Sequence, residues 1–165
     1  IPGSENLIFL PYIMGERTPH WDPYARGVFF GMGINHNKGH FVRSIMEGVV
    51  YSIRECLDIL RELGLKIDKI VSMGGGSKSD IWCQIQADNF KKEVNTLKCG
   101  ESGAMGNLIL SLFALEEISS IEEAEKLIKI DKKYRYDEKN DIVYMKGFNK
   151  YKELYRTLKK FMKNS

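Results

Sequence analysis

The sequence has no long hydrophobic run: none approaches the roughly 20 apolar residues needed to span a bilayer. Residues 1–6 also lack a basic segment followed by an apolar one, so no leader is indicated. We therefore expect a soluble, cytoplasmic protein with no membrane partner. Cysteine is scarce too, since Cys56, Cys83 and Cys99 are far apart and form no C-x-x-C pair. This spacing indicates buried, reduced thiols rather than disulfides or a zinc site.

The charge balance is nearly even, with 25 Lys and Arg against 22 Asp and Glu, a formal net charge of +3. Much of the basic excess lies in the tail, residues 146–163. No aromatic stacking motif or base-reading module accompanies these lysines, so a solvated helix face explains them better than nucleic-acid binding does. We expect no nucleic-acid partner.

The length of 165 residues and the 43% hydrophobic content are those of one domain with a sizeable core. Glycines and prolines recur up to Asp22 and predict an irregular opening segment. A short apolar run at residues 27–32 predicts a buried strand. Apolar residues at helical spacing predict a helix over residues 39–63, with Gly64 following its end.

An alternation of strands and helices follows. Residues 69–73 form an apolar run that leads into three glycines, and a helix is predicted from about Ser79. A second strand at residues 93–97 and a second helix at 103–115 repeat the pattern. The alternation predicts an α/β fold, with a parallel or mixed sheet flanked by helices. Beyond it, Ser120 and Glu123 form a capping-box signature, and a tail helix carries apolar residues from Tyr151 to Phe161.

The glycine turn Met73–Asp80 is the strongest candidate site. Glycines between a strand and a helix let a ligand approach the backbone closely, and free N–H groups at a helix start favour phosphate or ribose oxygens. Two familiar motifs do not fit, because Ser77 separates Gly76 from Lys78 where a P-loop needs Gly-Lys, and Ser79 stands where a dinucleotide fingerprint needs glycine. A tight turn with no ligand is an equally good interpretation of these residues taken by themselves.

Two further groups of polar residues are better explained by a structural role than by ligand binding. His36 and His40 have metal-ligand spacing, but no Glu follows His36 as in metalloproteases, so no metal ligand is predicted. A charged group near Trp21 could bind an anion, although ion pairs that brace the loop are favoured; it comprises Glu16, Arg17, Asp22 and Arg26. No catalytic residue can be identified from the sequence.

Four blocks nevertheless occur together in one order: GERTPHWDPYARGVFFG (residues 15–31), EGVVYSIRECLDIL (47–60), MGGGSKSDIWCQIQADNF (73–90) and ESGAMG (101–106). As a set they resemble the C-terminal domain of the FGGY carbohydrate kinases. The form GERTPH followed by WDP is most similar to the xylulokinases of that family. Asn107 stands where most of the family has a small residue after the last block, and in this position the sequence resembles the rhamnulokinases.

The resemblance implies an actin-like ATPase (ribonuclease H-like) fold, with ATP bound between two domains and Mg²⁺ needed by the complete enzyme. Residues 1–165 would form the nucleotide-binding C-terminal domain, without the N-terminal sugar-binding domain. Gly75 and Ser79 would contact the adenine nucleotide, and Gly74, Gly76 and Ser77 would line the same pocket. The catalytic Asp of the family and its phosphate loops would precede Ile1.

The implied reaction is the ATP-dependent phosphorylation of D-xylulose to D-xylulose 5-phosphate. Its partners would be ATP or ADP and, through the N-terminal domain, the sugar; a homodimer is compatible with the resemblance. The alternatives are another FGGY kinase, for gluconate or a different ketose, and a non-catalytic nucleotide-binding or interaction module. We expect the chain alone to be inactive, Ile81 and Ile85 to face the sheet, and the backbone of residues 74–77 to be open to solvent.

Overall fold

The computed structural model describes residues 1–98 and 102–164. These residues form two compact units. Unit 1 is discontinuous in sequence and comprises Ile1–Ile67, Asp88–Lys91 and Asp137–Ser165; unit 2 comprises Asp68–Ala87 and Lys92–Tyr136. In chain order the elements are β1 (Ile8–Leu10), β2 (Val28–Phe30), α1 (Lys38–Glu62), β3 (Ile70–Ser72), α2 (Asp80–Phe90), β4 (Val94–Leu97), α3 (Ser102–Ala114), α4 (Ile121–Glu125), β5 (Ile130–Tyr134) and α5 (Asp141–Lys163).

Unit 1 packs the β1–β2 ribbon against helices α1 and α5. The two strands are antiparallel, with Ile8 opposite Phe30 and Leu10 opposite Val28. The core of this unit is rich in tyrosine, because Tyr51, Tyr144 and Tyr151 are almost completely buried. Tyrosine gives a large apolar ring but needs a partner for its hydroxyl, and Tyr12 and Tyr151 bond to each other across the core.

Helix α1 has the predicted bounds to within one residue at each end. Its first turn is capped by Asn37, whose side chain accepts a hydrogen bond from the Gly39 amide at 2.9 Å. At the other end Gly64 has φ +82° and donates to the Arg61 carbonyl at 2.9 Å. Glycine adopts this left-handed conformation without the steric cost that other residues incur, so its position past the helix end confirms the sequence prediction.

The buried face of α1 is not the one that carries its apolar stripe. The apolar stripe that defined the helix in sequence is half-exposed, with Ile45 40% and Ile53 39% exposed. The face turned into unit 1 is instead polar in part, and Glu47 is 2% exposed. Its carboxylate accepts hydrogen bonds from the Gly3 amide, the Ser4 hydroxyl and the Arg43 guanidinium at 2.8 to 2.9 Å. A buried charge with three donors is tolerated, and this is why apolar spacing identified the helix but not its packed side.

Unit 2 contains a three-stranded mixed sheet in the order β3–β4–β5, which confirms the predicted class of sheet. Strands β3 and β4 are parallel, with Ile70 opposite Val94, and β5 runs antiparallel to β4. Helix α2 connects the parallel pair and buries Cys83 and Ile85 completely. Strand β5 was not predicted, because its residues IDKKY are largely charged and most of them are exposed.

Several burial predictions were wrong in detail. Strand β2 is mostly exposed rather than buried, with Phe30 57% exposed. Ile85 faces the interior as expected, but Ile81 lies one turn earlier and is 56% exposed.

The predicted cap of α4 is confirmed, because the Ser120 hydroxyl accepts a hydrogen bond from the Glu123 amide at 3.4 Å. Within residues 1–98 and 102–164, no helix is both long and apolar enough to cross a membrane.

Candidate functional site

The candidate site is the connection from β3 to α2 in unit 2, where a short 3₁₀ turn, Gly75–Lys78, follows the strand. Gly74 precedes it with φ 78° and ψ −167°. This backbone region is essentially restricted to glycine, because a Cβ atom would collide with the neighbouring peptide groups. The first glycine of the turn is therefore required by the path of the chain.

The other two glycines of the turn differ from the first and from each other. A Cβ atom built on Gly76 would lie 3.0 Å from Nε1 of Trp82, so the indole ring occupies the space beside it. A Cβ atom built on Gly75 would meet no described atom within 4 Å, and the φ angle of Gly75 is not positive. Nothing among the described residues requires glycine at position 75. The expected open backbone of residues 74–77 is confirmed for the three exposed glycines, whereas Ser77 is half-buried.

The two serines of the predicted site use their polar groups within the turn. The Ser77 amide donates to the Gly74 carbonyl at 3.2 Å, and the Ser79 amide donates to the Gly76 carbonyl at 3.0 Å. The Ser79 hydroxyl accepts from the Trp82 amide at 3.3 Å, as a helix-capping serine does. The expectation of free N–H groups is thus wrong for Ser77 and Ser79, because the 3₁₀ turn consumes them.

The start of α2 already has a negative charge. Asp80 is its first residue and accepts hydrogen bonds from Lys132 Nζ at 2.8 Å and the Tyr134 hydroxyl at 2.6 Å, both from β5. These bonds lower the pKa of Asp80 and raise those of Lys132 and Tyr134. A carboxylate at a helix N-terminus is stabilised by the helix dipole. This end of α2 is therefore a poor place for a second anion such as a phosphate.

Cys83 lies directly behind the turn and is completely buried. Its thiol donates to the Ser77 carbonyl at 3.5 Å, and burial raises its pKa. The thiol is therefore neutral at physiological pH, which fits a packing role and not a nucleophile. Cys56 is also a free thiol but is only half-buried, in contrast to the expectation, and Cys99 lies outside the described residues.

The loop around Trp21 is braced by hydrogen bonds, and not by the ion pairs that the favoured interpretation of its charges predicted. The backbones of Glu16 and Asp22 exchange two hydrogen bonds of 2.8 and 2.7 Å. The Glu16 carboxylate accepts from the His20 amide at 2.7 Å, and Asp22 accepts from the Tyr155 hydroxyl at 2.8 Å. Arg26 donates to the Pro23 and Ala25 carbonyls, so three of the four charged residues hold the loop in place.

The histidine pair is also used structurally. Nδ1 of His36 accepts from the Gly33 amide at 2.8 Å, and Nδ1 of His40 accepts from the Asn37 amide at 3.1 Å. Across the described part of the chain, no group of three or more His, Cys, Asp or Glu side chains could hold a metal ion. The block at residues 101–106 begins at Glu101, which lies outside the described residues, and α3 follows it.

Similar structures define the class of protein. The xylulose kinase from Lactobacillus acidophilus superposes with a TM-score of 0.86 at 34% sequence identity, over 96% of this chain and 32% of that one. The chain therefore has the α/β fold of the actin-like ATPases. The model of the C-terminal domain of the FGGY family of carbohydrate kinases matches residues 2–115. The chain belongs to the FGGY family of carbohydrate kinases.

The curated relatives of this chain include a xylulose kinase and a gluconokinase. A Bacillus subtilis xylulose kinase is 39% identical over 170 residues, which cover 98% of this chain and 34% of the relative. A gluconokinase of the same species is 38% identical over 128 residues, which cover 77% of this chain and 25% of the relative. The chain thus spans about a third or less of the length of the curated relatives it matches.

Sequence reasoning missed Trp82 and the two β5 residues that hold Asp80. Trp82 was visible as a large aromatic residue three positions after Ser79, on a helix with few other bulky side chains. Lys132 and Tyr134 carried no usable signal, because their contact with Asp80 depends on the antiparallel return of β5, more than 50 residues later.

Proposed function

We propose that this chain is the C-terminal, nucleotide-binding domain of an ATP-dependent sugar kinase, and that adenosine lies against the turn Gly74–Ser79. The supporting observation is Gly75. The backbone conformation explains why glycine stands at position 74, and the nearby Trp82 ring explains it at position 76. At position 75 the neighbouring space is open, and no described residue requires a glycine there. A ligand that approaches the backbone accounts for a glycine that the fold itself does not need.

The geometry favours the nucleoside end of the nucleotide over its phosphates. The amides of Ser77 and Ser79 are already bonded, and the Asp80 carboxylate occupies the start of α2. The flat adenine ring or the uncharged ribose can lie on the open glycine backbone, whereas a phosphate would meet the like charge of the Asp80 carboxylate. We therefore assign the phosphates of ATP to the sugar-binding domain of the complete kinase.

Mg²⁺ is the cofactor that this reaction class implies, and the described residues of this chain offer no site for it. The described residues contain no cluster of carboxylates or histidines suited to a metal. The site at Gly74–Ser79 likewise presents glycines and serines, not the paired oxygen ligands that Mg²⁺ prefers. No part of the metal chemistry is assigned to these residues.

For the sugar, we propose D-xylulose, converted to D-xylulose 5-phosphate in the cytoplasm. The support is the repeated similarity to proteins named xylulose kinase, from 31% to 39% identical over more than nine-tenths of this chain. Gluconate is the second candidate, because gluconokinases of two Bacillus species are 38% identical over 77% of this chain. A coupled ADP-release assay on the complete kinase with both sugars distinguishes them, and this chain alone should show no sugar-dependent turnover.

The nucleotide assignment is tested by NMR titration of the ¹⁵N-labelled chain with adenosine, ADP and pyrophosphate. We expect adenosine and ADP to shift the amide signals of Gly75 and Gly76 with affinities within about threefold of each other. Pyrophosphate should leave these signals unchanged. The Gly75→Val variant should weaken both nucleotides by about tenfold or more, since its side chain would fill the open space.

The matched control is Gly33→Val in a loop of unit 1, where an added Cβ makes ordinary contacts with the His36 ring at 3.7 and 3.9 Å. It should keep the affinity of the parent chain. If Gly75→Val binds adenosine as tightly as the parent, Gly75 is only a turn residue and the proposed site is wrong. If pyrophosphate competes with ADP here, the assignment of the nucleoside end is wrong.

A further inference from the structure

Trp82 is the largest side chain next to the glycine turn, and its indole ring folds back onto it. A Cβ atom built on Gly76 would lie 3.0 Å from Nε1, 3.2 Å from Cδ1 and 3.5 Å from Cε2 of this ring. These three atoms form the five-membered edge of the indole. The edge therefore borders the space that a side chain at position 76 would occupy, next to the open Gly75.

The contact has a defined geometry because the base of Trp82 is held in place. Its amide donates to the Ser79 hydroxyl at 3.3 Å, and the amide of the next residue, Cys83, donates to the Ser79 carbonyl at 3.1 Å. The Cys83 thiol in turn bonds to the Ser77 carbonyl. These hydrogen bonds join the first turn of α2 to the glycine turn. The side chain of Trp82, which is half-buried, extends from this first turn to the space beside Gly76.

The indole contributes through its shape. Its N–H donates a hydrogen bond to none of the described residues, so the ring is not oriented by a polar partner. A rigid aromatic ring packed against one side of a glycine limits how far the adjoining peptide can move. Glycines otherwise have the widest range of backbone conformations, and an unsupported Gly-Gly-Gly turn would lose much freedom on ligand binding.

We propose that Trp82 is a positioning residue of the nucleotide site: its indole packs on Gly76 and holds the Gly75 backbone in the conformation that receives the nucleoside. This inference rests on the proposed nucleotide-binding function. It explains why glycine is needed at position 76 as well as at 75, since a side chain there would displace the ring. Trp82 acts through the turn and not by touching the phosphates.

The experiment uses the Trp21→Phe variant. The sequence has two tryptophans, so Trp82 is then the only one left and its fluorescence can be followed alone. In this background Trp82→Ala, Trp82→Phe, Gly76→Ala and the double variant Gly76→Ala with Trp82→Ala are titrated with ADP by NMR. We expect Trp82→Ala to weaken ADP about tenfold and Trp82→Phe, which keeps an aromatic ring, to stay within about threefold of the parent. Gly76→Ala should weaken ADP and shift the fluorescence maximum of Trp82 even without nucleotide.

The double variant decides whether the two residues act through one contact. If they do, its loss of affinity is clearly smaller than the product of the two single losses, because the added methyl group no longer meets a ring. Multiplying losses, or an unchanged ADP affinity in Trp82→Ala, would overturn the positioning role. So would a loss of amide protection throughout β3, β4 and β5 in Trp82→Ala, since Trp82 would then be a core residue of unit 2.

The outcome for the parent chain separates this inference from the proposed function. A parent chain that shows no shifts with ADP or adenosine overturns the nucleotide site and, with it, the role of Trp82. A parent chain that binds ADP and is indifferent to Trp82 leaves the proposed function standing and overturns this inference alone.

Discussion

Most of the largest completely buried apolar side chains lie in unit 1, and few lie in unit 2. In unit 1, Leu10, Tyr144 and Tyr151 are all inaccessible to solvent. In unit 2, several large apolar side chains are more than half-exposed, among them Leu110 at 69%, Met73 at 54% and Phe113 at 53%. Unit 1 thus contains its own core, whereas the described residues leave much of the apolar surface of unit 2 uncovered. Apolar content alone does not show which part of a chain is self-sufficient.

The charges of the two units differ in the same way. Unit 1 buries Glu47 among three donors, and one of them, Arg43, also reaches the Tyr144 hydroxyl. The ion pairs of unit 2, such as Lys132 with Asp80 and Lys69 with Glu125, lie on its surface. Buried polar networks are costly to break, whereas exposed ion pairs contribute little. Matched substitutions in the two units should therefore have unequal effects.

The largest difference is expected from truncating one leucine in each unit. Leu10→Ala removes a side chain that is 0% exposed and should cost about 3 kcal/mol of stability, by loss of burial and creation of a cavity. Leu110→Ala removes one that is 69% exposed and should cost less than about 0.5 kcal/mol. Native-state hydrogen exchange at amides of α5 and β4 follows each unit separately. Equal losses would show that Leu110 is buried in solution and that the comparison fails.

A matched pair of helical glycines should give effects of opposite sign. A Cβ atom on Gly48 of α1 would overlap the Phe9 carbonyl oxygen, so Gly48→Ala should destabilise unit 1 by about 2 kcal/mol. A Cβ atom on Gly106 of α3 would meet no atom of a described residue within 4 Å, so Gly106→Ala should stabilise unit 2 by about 0.5 kcal/mol through helix propensity. Urea denaturation monitored by circular dichroism measures both. A destabilising Gly106→Ala would mean that this face of α3 is packed.

The smallest effect is expected from one carboxylate in each unit. Burial opposes ionisation of Asp22, but hydrogen bonds from the Tyr155 hydroxyl and the Tyr24 amide outweigh it and lower its pKa. Asp22→Ala should cost about 1 to 2 kcal/mol at pH 7, since it leaves both donors without their acceptor. Asp80→Ala, which breaks an exposed pair, should cost less.

The pH dependence gives the sign of the Asp22 contribution. A lowered pKa in the folded state stabilises the fold above the ordinary pKa of about 4, and this stabilisation is lost as the pH falls through the lowered value. The difference in unfolding free energy between the parent and Asp22→Ala should therefore shrink when the pH is lowered from 7 to 3. A difference that grows on acidification would show that the pKa of Asp22 is raised instead.

Much of the fold could be predicted because its signals are local. The bounds of α1, the strand, turn and helix at residues 70–90 and the second strand all follow from periodicity, a cap or a glycine cluster. The packed face of α1 could not be predicted, because it depends on Glu47 finding donors at Gly3 and Ser4, more than 40 residues away. The charged strand β5 was missed for the same reason, since β4 and not its own composition makes it a strand.

The candidate site was predictable in position but not in its chemistry. Three successive glycines marked the turn, yet the separate reason for each of them, a backbone angle, an open space and an indole ring, needs coordinates. The bonded amides of Ser77 and Ser79 overturned the expectation of free donors, because a 3₁₀ turn and an extended loop have the same glycine content. The roles of the predicted site residues toward a nucleotide stay predictions until they are measured.

The discontinuity of unit 1 has a consequence for the order in which the chain acquires structure during synthesis. The tyrosine pair Tyr12 and Tyr151 is separated by 139 positions, and Asp22 and Tyr155 by 133. The ribosome must therefore complete the whole of unit 2 before the ribbon β1–β2 can meet α5. Long-range closure of this kind is slow, and apolar surface stays uncovered until it occurs. Strands β1 and β2 are synthesised before α5, the helix that completes their core. They should therefore remain accessible to chaperones and proteases until α5 has been made.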